Sequence, residues 1–189
     1  MRDTRLQTLS GKRVDLTNPT PDQIVWSDVF HSLGLQNRYG GHTTSQFSVG
    51  QHIVAIDIYC VNTCKTPTVR KVSFIHDLPE YVLQDIISPL KVLLGDKYEQ
   101  MTVAWENAFC EKLGAFPGEV FRRVFRDTVQ HIDQEAYLAE SDIFRPNRPD
   151  DVVCNDIEMR KAIMTASRMT RSEVFKYLME TKRKLFDES

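Results

Sequence analysis

Long apolar runs, cysteine frameworks, an excess of basic charge and strand-like alternation are all scarce in this sequence, and each scarcity removes a class of protein. No stretch approaches the roughly 20 uninterrupted apolar residues that a membrane helix needs. Met1 to Arg5 opens on charge with no apolar segment behind it, so neither membrane insertion nor secretion is expected. The four cysteines, Cys60, Cys64, Cys110 and Cys154, are irregularly spaced. They suit neither a disulfide framework nor a standard zinc pattern and read as reduced thiols of a cytoplasmic protein. With 24 Lys and Arg against 26 Asp and Glu, the formal net charge of −2 argues against a dedicated nucleic-acid binder. Internal repeats are missing, as are the serine nucleophile elbow and the glycine-rich phosphate loop ending in Lys-Ser/Thr.

What is present is an ordinary globular composition, 41% hydrophobic and 26% charged over 189 residues, enough for one core in one domain. The segment Leu9 to Val14 reads as a small hairpin. Thr20-Pro21-Asp22 reads as a helix start, with Thr20 as cap, Pro21 in the first position and Gly34 as the stop. Arg38-Tyr39-Gly40-Gly41-His42-Thr43 is a loop whose paired glycines let backbone approach a ligand closely. Ser48 to Val61 is apolar nearly all round, the mark of a buried helix, and Val69 to Asp77 reads as a second, shorter one. Pro79 forces a bend at Leu78. Helices follow over Tyr98 to Leu113, Pro117 to Glu140 and Arg171 to Phe186, with a break marked by Gly114 and Pro117. The expected fold is an all-α single domain over residues 1–189, its motif-bearing core near 9–140 and a C-terminal helical extension near 156–187. The basic run from Arg160 to Lys184 reads as a solvated helix face, with anion or partner binding as the other use of such a run.

Three polar groups sit where packing alone does not want them. His52 shares its helix face with Ser48, Val49, Ala55, Ile56 and Tyr59 and so points inward. Asp77 closes the apolar run Val72-Ser73-Phe74-Ile75-His76-Asp77, where a carboxylate is costly unless paired or bound to a cation. Asp133 is placed among Phe125, Val129, Ala136 and Tyr137 by the same periodicity. Together His52, His76, Asp77 and Asp133 offer two imidazoles and two carboxylates from three helices, a mixed set suited to Mn²⁺, Fe²⁺, Co²⁺, Zn²⁺ or Ni²⁺. An octahedral centre of this kind leaves positions for water and for a phosphoryl oxygen, as hydrolysis requires.

The order His52, His76-Asp77, Asp133 resembles the H…HD…D pattern of the HD-domain phosphohydrolase superfamily, an all-helical fold. The stretches Arg38 to Thr43, Phe47-Ser48-Val49-Gly50-Gln51-His52, His76-Asp77-Leu78-Pro79-Glu80 through Asp85, and Ser88-Pro89-Leu90-Lys91 look like its 5′-deoxynucleotidase branch and small phage relatives. Those relatives include the dATP triphosphohydrolase of phages that replace adenine by 2-aminoadenine. The resemblance covers roughly Leu9 to Glu140. It implies that Glu80 is the acid/base that handles the attacking water, beside Asp77 as a catalytic ligand. It also implies that Arg38 and Lys91 face phosphate, that Tyr39 packs on the nucleoside, and that Asp85 lies near the sugar or a site water. The family commonly has Lys three residues before its last Asp, where this sequence has Gln130; Arg122, Arg123 or Arg126 could compensate.

The resulting expectation is a phosphohydrolase that needs a divalent ion (Mn, Co, Mg, Zn, Fe or Ni) and attacks the α-phosphorus of a deoxynucleotide, releasing the deoxynucleoside. A 5′-deoxynucleotidase acting on monophosphates is preferred, with deoxynucleoside triphosphate triphosphohydrolysis, of dATP especially, as the alternative. A non-catalytic nucleotide-sensing or partner-binding HD protein is the competing class. The resemblance further implies a homo-oligomer.

Overall fold

The computed structural model describes residues 3–147 and 153–188, so Met1 and Arg2 of the charged opening lie outside the described residues. The fold is all-α with one small N-terminal hairpin. Strands β1 (Arg5–Gln7) and β2 (Arg13–Asp15) pair antiparallel with Leu6 opposite Val14. The hairpin thus begins earlier than Leu9, and the stretch from Leu9 mostly forms its turn. Asp28 clamps it to the body, accepting hydrogen bonds from the Thr8 hydroxyl and from the backbone N–H and hydroxyl of Ser10.

The expected helix from Pro21 to Gly34 is interrupted. Pro21–Gln23 makes a single tight turn capped by Thr20, then Ile24 and Val25 are extended and α1 runs over Trp26–Leu33. Two β-branched residues in succession favour extended backbone, and the break buries Ile24. Gly34 ends α1, yet with right-handed backbone. Its value is in packing: a Cβ on Gly50 would lie 3.3 Å from the Gly34 Cα and 2.9 Å from Val174, so the paired glycines let two helices cross closely.

At the centre lies α2 (Val49–Asn62), started by a reciprocal cap in which Ser48 Oγ accepts from the Gln51 N–H and Gln51 Oε1 from the Ser48 N–H. It is buried over most of its circumference, as its composition requires. Around it stand α3 (Pro67–Ile75), α8 (Gln130–Phe144), α9 (Ile157–Ser167) and α10 (Arg171–Lys182). The short α4 (Glu80–Leu83) follows the bend at Leu78, then α5 (Ser88–Leu94) and the long α6 (Asp96–Lys112). The C-terminal helices are part of the core: Met159, Ala162, Ile163, Ala166, Val174 and Leu178 are buried, and α9 packs along α2.

The segment expected as one helix from Pro117 to Glu140 is α7 (Gly118–Val124) and α8 joined by a wider turn over Phe125–Val129. That turn adds a residue to one revolution; Asp133 follows it within α8, on the side of that helix that carries Ala136 and Tyr137 as regular spacing expects, with its side chain 37% exposed. No helix among the described residues is long and apolar enough to cross a membrane.

Candidate metal centre

Each metal-ligand candidate is delivered by a different local device. His52 is the fourth residue of α2 and is fully buried. His76 ends α3, a helix begun by the Thr66 cap and Pro67, and Asp77 follows in the turn that Pro79 enforces. Asp133 lies in the first turn of α8, just after the wider turn. The four side chains meet. His52 Nε2 is 3.2 Å from Asp77 Oδ2 and 3.2 Å from Asp133 Oδ1, while His76 Nε2 is 3.4 Å from Asp77 Oδ1 and 3.8 Å from Asp133 Oδ1.

The two rings are oriented from behind. His76 Nδ1 donates to the Ser73 carbonyl at 2.6 Å, and His52 Nδ1 meets Oε1 of Glu140. A carbonyl or a carboxylate offers only lone pairs, so Nδ1 carries a proton in both rings, and in the neutral form of each ring Nε2 carries the free pair. Both Nε2 atoms are buried and neither makes a hydrogen bond. Two buried nitrogens aimed at the same two carboxylates form a group that could hold a metal ion, with His52, His76 and Asp77 at its centre.

The electrostatics agree. Burial and Arg38 push His52 down, yet Glu140, Asp133 and Asp77 outweigh them and it stands well above its usual value; His76 is also raised, burial being overcome by Asp77 and Asp133. Asp77 and Asp133 go the other way: burial raises them, and the two imidazoles hold both below the usual carboxylate range. Carboxylates packed around two imidazoles attract positive charge, whether as protons on the rings or as a divalent cation between them.

The other residues singled out from the sequence lie close by. Glu80, at the start of α4, is buried, with Oε1 3.5 Å from Lys91 Nζ and Oε2 without a hydrogen bond. Burial, assisted by Asp77 and Asp85 against Lys91 and Arg38, raises its carboxyl well above the ordinary value. Arg38 Nη1 stands 3.7 Å from Asp77 Oδ2. Tyr39 is left-handed at φ 59°, a conformation that costs a side-chain-bearing residue about 1–2 kcal/mol. Asp85 holds that turn by accepting the Tyr39 N–H at 3.1 Å, so the structure puts it behind the loop.

Three residues not found from the sequence belong to this region. Glu140, fully buried, accepts from Arg38 Nε at 2.8 Å and from the Tyr39 hydroxyl at 2.6 Å, besides facing His52. It lies seven residues after Asp133 and hence on the same face of α8; an acid two turns beyond a candidate ligand was the signal available. Arg145 lies over the Tyr39 ring, 4.8 Å from its centroid, and Arg38 also contacts the ring at 5.4 Å. Glu106, half-buried on α6, is pushed up to about 7, chiefly by burial, against the pull of Arg122 and His76. Gln130 is exposed, as are Arg123 and Arg126.

The basic C-terminal run is substantially ion-paired along its own surface: Arg160 with Asp142, Lys161 with Glu158, Lys182 with Asp187 and Arg183 with Glu188. Cys60, Cys110 and Cys154 are buried free thiols and Cys64 an exposed one.

No protein-family model matches the chain. It is similar to the uncharacterized protein RCAP_rcc00048 of Rhodobacter capsulatus, 30% identical over 166 residues that cover 80% of this chain and 84% of that protein. It is also similar to the uncharacterized protein YfdR of Escherichia coli, 33% identical over 115 residues, 59% of this chain and 60% of that protein.

Proposed function

This chain belongs to the family of the Rhodobacter capsulatus protein, and we propose that it is a metal-dependent phosphohydrolase acting at the α-phosphorus of deoxynucleotides, a 5′-deoxynucleotidase by preference. The observation that carries this reading is the pair of buried, hydrogen-bond-free Nε2 atoms of His52 and His76 converging on Asp77 and Asp133. A purely structural centre closes on its ligands and is usually rich in Cys, whereas this one has no Cys and a carboxylate, Asp133, whose side chain is 37% exposed. The order of these residues along the chain resembles that of the HD-domain phosphohydrolases, which supports the same chemistry.

In this reading His52, His76, Asp77 and Asp133 hold the ion. What a divalent cation supplies at such a site is Lewis acidity, which lets water attack near neutral pH and polarises a phosphoryl oxygen. Glu80 takes the proton of the attacking water on its free Oε2 and returns it to the departing 5′-oxygen, a role suited to a buried carboxyl with a raised pKa. Arg38 grips phosphate as a planar fork, Lys91 adds a charge beside Glu80, and Tyr39 offers a ring to the nucleoside. A homo-oligomer is part of the same proposal.

The triphosphate reading keeps one specific support. Where the family carries a lysine this chain has Gln130, but Arg145 over Tyr39 brings another cation beside the phosphate-facing Arg38. Incubation with each dNMP and dNTP plus Mn²⁺, Co²⁺ or Mg²⁺, with products separated by chromatography, is expected to give deoxynucleoside and phosphate from monophosphates. Triphosphate as coproduct selects the second reading. No deoxynucleoside in any reaction ends both, and tight nucleotide binding without turnover selects a sensing protein. Glu80→Gln is expected to slow turnover by about 10²–10⁴-fold with metal affinity retained.

A further inference from the structure

We infer that Glu140 is a positioning residue that sets the metal ligand His52 and the substrate-binding pair Arg38 and Tyr39 with one carboxylate; this rests on the reading of the site given above. The division of labour is atomic. Oε1 faces His52 Nδ1, while Oε2 accepts from Arg38 Nε and from the Tyr39 hydroxyl. The three partners come from α2 and from the glycine turn, and Glu140 itself comes from the helix that carries Asp133.

Each contact has a functional consequence. By accepting the Nδ1–H, Oε1 leaves Nε2 of His52 directed at Asp77 and Asp133 and makes the ring a stronger donor to a cation. By engaging Nε, Oε2 turns the guanidinium so that Nη1 comes to 3.7 Å from Asp77 Oδ2. The Tyr39 hydroxyl is held at one end of that side chain while Asp85 holds its backbone N–H at the other, so the left-handed residue is pinned twice. A carboxylate with no exposure is costly in itself. An ion pair serving only to pack α8 against the turn would be complete with Arg38 alone; this one spends its second oxygen on a histidine whose other nitrogen makes no hydrogen bond.

Glutamine cannot replace it. An amide has one acceptor oxygen, so it can serve His52 or the Arg38–Tyr39 pair but presents an N–H donor to the other. In Glu140→Gln, calorimetry with Zn²⁺ and no nucleotide is expected to show a 10- to 100-fold loss of affinity, the usual cost of removing a carboxylate behind a ligand histidine. In the Zn²⁺-loaded protein, the far-downfield Nδ1 proton of His52 is expected to move upfield in the variant. That of His76, held by the Ser73 carbonyl, is expected to stay and serves as the internal reference. KM for a dNMP is expected to rise about tenfold with metal saturating.

Unchanged Zn²⁺ affinity with an unmoved His52 proton overturns the inference, as does a shift of both histidine protons together, which would mark a general loosening. Should the glutamine variant not fold, Glu140→Asp retains the charge but is one methylene too short to reach both sides. It is expected to lose Zn²⁺ affinity or raise KM, and no change in either overturns the inference too. A wild-type protein that releases no deoxynucleoside, while Glu140→Gln still weakens Zn²⁺ and moves the His52 proton, removes the proposed function and leaves the positioning role standing.

Discussion

Asp57 on α2 and Glu140 on α8 are both carboxylates removed from water, and each is served by one arginine and one tyrosine hydroxyl. Asp57 Oδ1 accepts from Arg70 Nε and Nη2 at 3.0 and 2.8 Å, and its Oδ2 from the Tyr177 hydroxyl at 2.9 Å. Those partners lie on α3 and α10, so the group ties three helices together and closes on itself. The Glu140 group contains the same side-chain types and a histidine besides, and behind that histidine stands an Nε2 atom with no hydrogen bond. Buried charge is therefore common to a tie and to a site. What separates them is whether any valence is left over, because an unpaired buried polar atom costs free energy that structure alone gives no reason to bear.

The sharpest way to break this comparison is to remove an acid from each region. Asp77→Ala is expected to abolish Mn²⁺ or Zn²⁺ binding in calorimetry and to lower deoxynucleoside release by at least about a thousandfold. Its melting temperature is expected to stay within a few degrees of the parent, since a carboxylate leaves a crowded acidic cluster. Full activity in that variant means the site is wrongly placed. Asp57→Ala should do the reverse, costing about 3–5 kcal/mol by stranding Arg70 and Tyr177, or roughly 10 °C in melting temperature. Its metal affinity, measured on the folded protein, should remain within about twofold of the parent. A loss of metal affinity there would mean that the two regions are one network.

The same contrast explains what could be read from the sequence. Helix periodicity finds α2 because that helix is buried nearly all round, and the inward position of His52 follows from regular spacing. Asp133 shares its side of α8 with Ala136 and Tyr137 as regular spacing expects, but spacing alone shows neither the wide turn over Phe125–Val129 that precedes it nor the third of its side chain that stays in solvent. The interruption at Ile24 and Val25 likewise depends on packing that local propensity does not contain. Glu140 escaped because an acid on a helix looks like a surface residue until its partners are known, and those partners lie about a hundred positions away in the chain. The same holds for Asp57, whose Tyr177 partner is equally distant.

The finest distinction comes from one identical deletion made in both regions. Tyr177→Phe removes the hydroxyl that donates to Asp57 Oδ2, and Tyr39→Phe removes the one that donates to Glu140 Oε2. Each deletion takes one hydrogen bond from a buried carboxylate that retains its arginine, so each is expected to cost about 1–2 kcal/mol in chemical denaturation. Tyr177→Phe should leave KM for a dNMP unchanged, because its partner carboxylate stays fixed by the two Arg70 N–H donors to Oδ1 and makes no contact with the candidate metal ligands. Tyr39→Phe should raise KM severalfold, since the ring loses its tether to Glu140 on a left-handed residue whose backbone N–H is held by Asp85. Equal effects of the two variants on KM would show that the hydroxyl of Tyr39 is no more tied to substrate binding than that of a distant helix tie.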